Sequence, residues 1–305
     1  MNLPLLLILS FAAVDTSHSF STGSFLSTKN RIDDRITAGR VLGQRHRRQE
    51  SQQQQVCSQP GPASMPTMNT GWPPADRLSE YVTESNLVDY GRLAAQENEW
   101  LAPVIAQIKN TDPKESDAAR RAFLINAYNV WTLHYVIRER RFPGFKGAVS
   151  LLSKARFFYW HKVSTGAGRW NLYDFENKVI RPDLNDARVH FALNCASMSC
   201  PPLRRKLFTG PGLDAELDEV TSAAINGGAL VQLKDNGKTL SVNPIFKWYK
   251  EDFDKEGGAL QFIKSRWTGA SPISEDAKLE FFDYDWRTNS VDATWSNGAL
   301  GGPAP

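Results

Sequence analysis

From residue 76 onward the chain has no excess charge of either sign and no run of basic residues. Its 36 Lys and Arg exceed its 33 Asp and Glu only because residues 1–75 hold seven of the former and four of the latter, leaving 29 of each in the remainder. A domain without a positive face has little electrostatic means of holding phosphates, so nucleic acid is excluded as a partner. The chain also has no internal repeat, no heptads and, after its first residues, no apolar stretch long enough to span a bilayer, so no integral membrane segment is expected in the mature chain. What it does have at the start is an apolar run from Leu3 to Val14 followed by small polar residues, which reads as a secretory signal core although no Lys or Arg precedes it.

The segment from Ser19 to Arg48 is rich in Ser, Thr and Arg, a transit-peptide composition, and Ser19 and Phe20 directly follow the signal core. The expected address is therefore the secretory pathway, secreted or lumenal, with a plastid reached through a two-part presequence as the alternative. From Gln44 to Pro74 a basic cluster (Arg45, Arg47, Arg48), the run Gln52 to Gln55 and five prolines leave too little apolar surface to offset ordering entropy. The expected organisation is a signal segment over 1–19, a disordered leader and linker over 20–75 that contains Cys57, a soluble globular domain over 76–290, and a disordered tail over 291–305.

Within the domain, helical periodicity runs over Glu97 to Asn110 and over Lys114 to Arg140, the second opened by Asp112 and Pro113. Its centre, AFLINAYNVWTLHYVI, is bulky on nearly every face, as a helix in the middle of a core would be. A strand is expected at Arg169 to Leu172, a short helix around Tyr173 to Ile180, and an alternating half-buried strand ending at Asn194. A helix from Asp214 to Ile225 stops at Gly227 and Gly228. Val231 to Leu233 and Thr239 to Val242 flank a DNGK turn as a hairpin, two helices cover Pro244 to Phe253 and Gly258 to Trp267, and a last strand runs from Lys278 to Tyr284. Together these give the α+β class: a helix-rich single domain with a small, mostly antiparallel sheet and a long buried central helix.

Chemistry concentrates in ARVHFALNCASMSCPPL, Ala187 to Leu203, where His190, Cys195 and Cys200 stand five positions apart. Three sites can be built from them. In the first, His190 deprotonates Cys195 while Glu176 or Asp174 orients the ring, a Cys, His and acid layout for acyl transfer that works because thiolate is the nucleophile. In the second, Cys195 and Cys200 form a disulfide that braces the turn, which an oxidising compartment permits. In the third, all three bind zinc with His161 as fourth ligand, but the spacing departs from the usual two-residue gaps, and no metal or other cofactor is expected. Asn126 and Asn129, three apart on one stripe of the central helix, are too buried to stay unpaired; they hold either a substrate or a passing loop, and Asn194 joins them as a binding candidate. Trp248, Tyr249, Phe253, Phe281, Phe282, Tyr284 and Trp286 read as core, though tryptophans also line sugar sites.

The segments INAYN (Ile125 to Asn129), RVHFALNCASMSCPPL (Arg188 to Leu203), IFKWYKEDF (Ile245 to Phe253) and YDWRTN (Tyr284 to Asn289), with VDY at Val88 to Tyr90, resemble the family catalogued as domain of unknown function 547. The chain departs from the family at one point, carrying Asn177 after Glu176 where an acid is commonly followed by His. The resemblance implies a shortlist of His190, Cys195, Cys200, Asn126, Asn129 and Glu176 and supplies no substrate. Its leader and lack of heptads are similar to the exported bacterial members rather than to the plant coiled-coil fusions. The expected function is that of an exported or organelle-lumen protein acting as a thiol-dependent hydrolase or acyl transferase centred on His190 and Cys195, on a small-molecule or peptide ligand. The alternative is a non-enzymatic binding module with a structural Cys195–Cys200 disulfide.

Overall fold

The computed structural model describes residues 77–114, 117–141 and 145–294. The chain divides between Met65 and Pro66, and every described residue falls in the second unit. The expected signal, leader and linker, with Cys57, and the end of the chain from 295 lie outside the described residues. No described helix is long and apolar enough to cross a membrane.

Helices α1 (Tyr90–Ala95) and α2 (Leu101–Asn110) precede the central helix α3 (Ala118–Arg140). Helix α2 starts four residues later than its periodicity extends, and Glu97, ahead of it, lies 3.1 Å from His134. Helix α3 likewise starts late: its cap is Asp117, whose side chain accepts from the Arg120 N–H, rather than the expected Asp112 and Pro113. From Ala122 to Leu133 every α3 residue is buried, and this all-round apolar surface seeds the larger core. Helices pack on it from several sides, so no solvent face is left to set a stripe.

Helix α4 (Leu151–Ala155) runs into a π-helical turn, Arg156–Trp160, before the antiparallel pair β1 (Lys162–Thr165) and β2 (Gly168–Asn171). A continuous helical run then comprises α5 (Leu172–Asp174), a π-helical stretch at Phe175–Ile180 and α6 (Arg181–Leu184). The next element corrects the sequence reading: Val189–Ala192 is a helical turn, α7, and not a strand. The physical reason is that both of its faces are packed. Val189, Ala192 and Leu193 belong to the core around α3, while Ala187 and Phe191 belong to a second core with Phe246, Phe253 and Phe262. With no neighbouring strand, the backbone satisfies itself locally, through Phe191 N–H to the Arg188 carbonyl and Leu193 N–H to the Val189 carbonyl.

Helix α8 (Leu213–Asn226) ends at Gly227, and β3 (Val231–Lys234) pairs antiparallel with β4 (Thr239–Val242), Lys234 opposite Thr239 across the DNGK turn. Asp235, Asn236 and Gly237 all have positive φ, which the turn composition favours. The expected single helix over Pro244 to Phe253 is two, α9 (Ile245–Trp248) and α10 (Lys250–Asp254), broken at Tyr249 with φ −109° and ψ 30°. After α11 (Ala259–Lys264), β5 (Lys278–Phe281) pairs parallel with β4 and completes a three-stranded mixed sheet. Strand β5 stops at Phe281, three residues short of the expected Tyr284, and that early stop frees Tyr284 for the cysteine turn. The architecture is α+β and helix-rich, with its sheets small.

Candidate thiol site

The cysteine turn hangs from the central helix by a side-chain amide. Asn129 donates from Nδ2 to the Ala192 carbonyl at 2.9 Å and accepts at Oδ1 from the Asn194 N–H at 2.9 Å, replacing the backbone partners that a lone turn lacks. Asn126 does the same one turn earlier for Phe208, at 2.8 Å and 2.9 Å. Both amides therefore hold passing backbone. Asn194 closes the turn itself, accepting from the Ala196 N–H at 2.9 Å and donating to the Pro201 carbonyl at 2.8 Å. Ala196 sits at φ +61°, in the left-handed region, and the reversal brings Cys200 back over Cys195.

The outer side of this turn is fixed by the C-terminal segment. Asn289 N–H donates to the Ala196 carbonyl, Met198 N–H to the Arg287 carbonyl and Ser199 N–H to the Asp285 carbonyl. Tyr90 in turn donates to Asn289 Oδ1 at 2.8 Å. Gly147 lets this segment lie so close: at φ +114°, any Cβ there would fall 2.4 Å from the Trp286 carbonyl oxygen.

Cys195 and Cys200 are free thiols, each partly exposed, with sulfurs 3.0 Å apart. The Cys195 N–H also donates to Cys200 Sγ at 2.9 Å. Ser197 Oγ is 3.0 Å and Tyr284 Oη 3.3 Å from Cys195 Sγ. Ser197 donates to Tyr284 at 2.9 Å, which leaves the Tyr284 proton to point at the sulfur. The hydrogen bond from Cys200 lowers the Cys195 thiol to about 7, against burial that would raise it, and Ser197 and Tyr284 add to the lowering. Burial, with the Cys195 charge beside it, pushes Cys200 the other way, well above an ordinary thiol. The two shifts favour ionisation at Cys195 over Cys200. Tyr284→Phe removes a donor to a charged acceptor, an interaction of about 1.5–3 kcal/mol, so the alkylation midpoint of Cys195 is expected to rise by about 1 pH unit. An iodoacetamide rate profile measures this, and a midpoint unchanged from the parent would contradict the assignment of that donor.

His190 lies elsewhere in the arrangement. Its Nε2 is 2.8 Å from Asp252 Oδ2, and its ring stacks on Tyr249 with centroids 3.8 Å apart. Among the described residues no hydrogen bond joins it to Cys195. The acid on His190 is therefore Asp252, not Glu176 or Asp174. Arg181 donates to the same Asp252 oxygen at 2.8 Å and to Asn177 Oδ1 at 2.6 Å, so Asn177 serves here as an anchor for Arg181. Burial keeps His190 below its ordinary value and hence neutral, with Nε2–H donating to the carboxylate. Glu176, buried, accepts from Tyr128 at 3.2 Å and from Tyr249. Asp174 is engaged locally: its N–H is capped by Asn171 Oδ1, and its carboxylate accepts from Asn171 Nδ2 and Lys178. Tyr249 links the two halves, touching His190 on its face and Glu176 at its hydroxyl, while the Cys195 charge helps push that hydroxyl up after burial.

His161, considered as a zinc ligand, lies 2.6 Å from Glu139 and stacks on Tyr135, apart from the cysteines. Among the described residues no three His, Cys, Asp or Glu side chains are grouped to hold a metal ion. A surface groove of about 510 Å³ lined by Asp218, Ser222, Ser265, Arg266, Trp267 and Thr268 contains none of the candidates. The aromatic surface next to the thiols is Tyr284 with Trp286 at 4.4 Å and Trp248 at 4.9 Å, and Lys154 Nζ lies 4.2 Å from the Trp286 ring. Ser197, Tyr249, Asp252 and Tyr284 are the site residues that sequence patterning did not single out.

Fold and site together define a helix-rich α+β domain built around a paired-thiol turn. Residues 114–223 match the family model described as Protein of unknown function, DUF547. That span includes INAYN and the cysteine turn; Tyr249, Asp252 and Tyr284 lie beyond it. No curated protein and no solved structure matches the chain.

Proposed function

We propose that the domain is a thiol-dependent acyl-transfer enzyme, a hydrolase or acyltransferase, with Cys195 as its nucleophile. The observation that carries this reading is the approach of the Cys200 sulfur to 3.0 Å and of the Tyr284 hydroxyl to 3.3 Å from Cys195 Sγ, which with the Ser197 N–H favours thiolate near neutral pH without a histidine in contact. The thiolate attacks the carbonyl carbon of an ester, thioester or amide, the leaving group departs with a proton, and the acyl thioester passes to water or another acceptor. The Tyr284, Trp286 and Trp248 surface supplies apolar contact for a small-molecule or peptide acyl donor. His190 is a positioning residue: through Asp252 and the stacked Tyr249 it fixes the ring whose hydroxyl meets Glu176.

The test uses an activated ester. Trypsin cuts after Arg188 and Arg204, so both cysteines fall in one peptide, Val189 to Arg204. With p-nitrophenyl acetate, reduced protein is expected to release about one equivalent of p-nitrophenolate in a burst. It should also carry one acetyl group on that peptide, and Cys195→Ser should lose both signals. Acetylation spread over lysines, or equal in Cys195→Ser, would sink the reading. The competing one, a binding module braced by a disulfide between sulfurs that lie 3.0 Å apart here, predicts no acylation of that peptide before or after reduction. Export belongs to the same proposal: Leu3 to Val14 directs entry into the secretory pathway, with plastid delivery as the alternative, and imaging a C-terminal tag separates the two.

A further inference from the structure

The proposed acyl-transfer reaction needs one thiol, yet the turn presents two, with their sulfurs 3.0 Å apart. A second thiol so close also gives the first a partner should it be oxidised. A disulfide bond is about 2.05 Å long, so joining the two sulfurs requires movement of only about 1 Å. The turn is already closed around that distance by Cys195 N–H to Cys200 Sγ, by Cys200 N–H to the Ser197 carbonyl, and by Asn194 to the Pro201 carbonyl. Nothing in the segment has to unfold, and both cysteines are partly exposed residues.

We propose that Cys195 and Cys200 are the attacking and resolving thiols of a hydroperoxide-sensitive switch that closes the acyl-transfer site by a reversible disulfide, a role that rests on Cys195 being the nucleophile. In the first step the Cys195 thiolate attacks the O–O bond of a hydroperoxide, gaining one oxygen as sulfenic acid; the other oxygen leaves as hydroxide or alkoxide and takes a proton. In the second step Cys200 attacks the sulfenic sulfur, the S–O bond breaks, and the hydroxyl departs with the Cys200 proton as water. Two thiols and one peroxide become one disulfide, one water and one water or alcohol. The arrangement divides the labour correctly. Cys195, with the Tyr284 hydroxyl 3.3 Å from its sulfur, attacks first, and Cys200 carries the proton that the second leaving group needs. Once the disulfide forms, Cys195 has no thiolate to acylate.

The experiment treats the reduced full-length protein with one equivalent of hydrogen peroxide at neutral pH and reads the peptide Val189 to Arg204 by mass. The expected product is that peptide lighter by two hydrogens, restored by dithiothreitol. Its formation should be about tenfold faster than oxidation of free cysteine in the same solution, the ratio of their thiolate fractions. In Cys200→Ser, which keeps a donor beside the sulfur, the sulfenic acid should persist and be trapped by dimedone on Cys195. In Cys195→Ser, Cys200 should remain reduced. Conversion of Cys195 to sulfinic acid in the parent protein, a disulfide to Cys57 instead, or oxidation of Cys200 in the Cys195→Ser variant would each overturn the pairing. The outcome is independent of the ester test. Acylation without the intramolecular disulfide removes only the switch, and the disulfide without acylation keeps the redox pair while removing the acyl-transfer reading.

Discussion

Asp252→Ala is expected to lower the stability of the domain by about 2–4 kcal/mol, the cost of leaving the buried His190 N–H without its acceptor and of losing the part-exposed pair with Arg181. Asp252 Oδ2 holds two partners at 2.8 Å, Arg181 Nε and His190 Nε2, and its other oxygen meets Lys255 at 3.2 Å. Lys255 can turn to water. Arg181, with its side chain 21% exposed, hydrates in part, but the His190 side chain is 1% exposed and has no such recourse. Asp252→Asn keeps an acceptor of the same shape and should cost about half as much. Urea unfolding followed by tryptophan fluorescence reads this as a lower midpoint at unchanged slope. An alanine variant within about 1 kcal/mol of the parent would show that the network behaves as a surface pair.

The same network sets the direction of acid sensitivity. Burial holds His190 below its ordinary value, so the unfolded chain binds the proton first and stability is lost as pH falls below about 6.5. His134, lowered to about 4 chiefly by burial, contributes the same sign between about 6.5 and 4. For Asp252, burial works to raise the carboxyl, but hydrogen bonds from His190 and Arg181 outweigh it and hold it well below the carboxylate range. Its contribution is present above about 3.9 and is lost as pH falls further. In Asp252→Ala the loss below about pH 4 should flatten while the His134 portion persists.

The parts of this molecule that were legible in sequence are those decided locally or by saturation with apolar residues. The central helix showed itself because no stretch of that length and bulk fits anything but a core, and the DNGK hairpin because its turn residues tolerate positive φ. Position of a cap is a finer matter: Asp112, Asp117 and Pro113 are all plausible openers, and only the Arg120 N–H selects Asp117. The Val189 to Asn194 alternation misled for a definite reason. Period two signals a strand when one face is solvated, but both faces here are buried in two different cores, so alternation carries no information about the backbone.

The candidate site divides the same way. His190, Cys195 and Cys200 were visible because reactive residue types are scarce and clustered, whereas their partners come from far along the chain. Asp252 is 62 residues from His190, and Tyr284 is 89 from Cys195. No local pattern marks either as anything but a surface acid and a core aromatic. Only the family-like segments IFKWYKEDF and YDWRTN, which contain Tyr249, Asp252 and Tyr284, pointed at them, and they pointed without assigning a role. Breaks in secondary structure turned out to be the structural clue: the helix interrupted at Tyr249 and the strand ended before Tyr284 each deliver a side chain to the site.

Asn129 and Asn126 offer a matched pair that separates positioning of the thiol from stability. Each amide satisfies one buried carbonyl and one buried N–H, and truncation to Ala strands both at about 1–3 kcal/mol each, less whatever the chain recovers by shifting. Asn129→Ala and Asn126→Ala are therefore both expected to lose about 2–4 kcal/mol, or about 4–16 °C in Tm for a domain of this size. Their effects on Cys195 should differ. Asn126 holds Phe208, beyond the cysteine turn, while Asn129 holds Ala192 and Asn194, the residues that lead directly into Cys195. Releasing the latter lets the turn drift from Tyr284 and Ser197, whose hydrogen bonds favour the thiolate, and misalignment worth about 1.4 kcal/mol is tenfold in ionisation. Iodoacetamide labelling of the Val189 to Arg204 peptide at neutral pH, under conditions where both variants are folded, should slow about tenfold in Asn129→Ala and stay within about twofold of the parent in Asn126→Ala. Equal labelling of the two would mean that the C-terminal segment alone, through Asn289, Arg287 and Asp285, holds the sulfur in place.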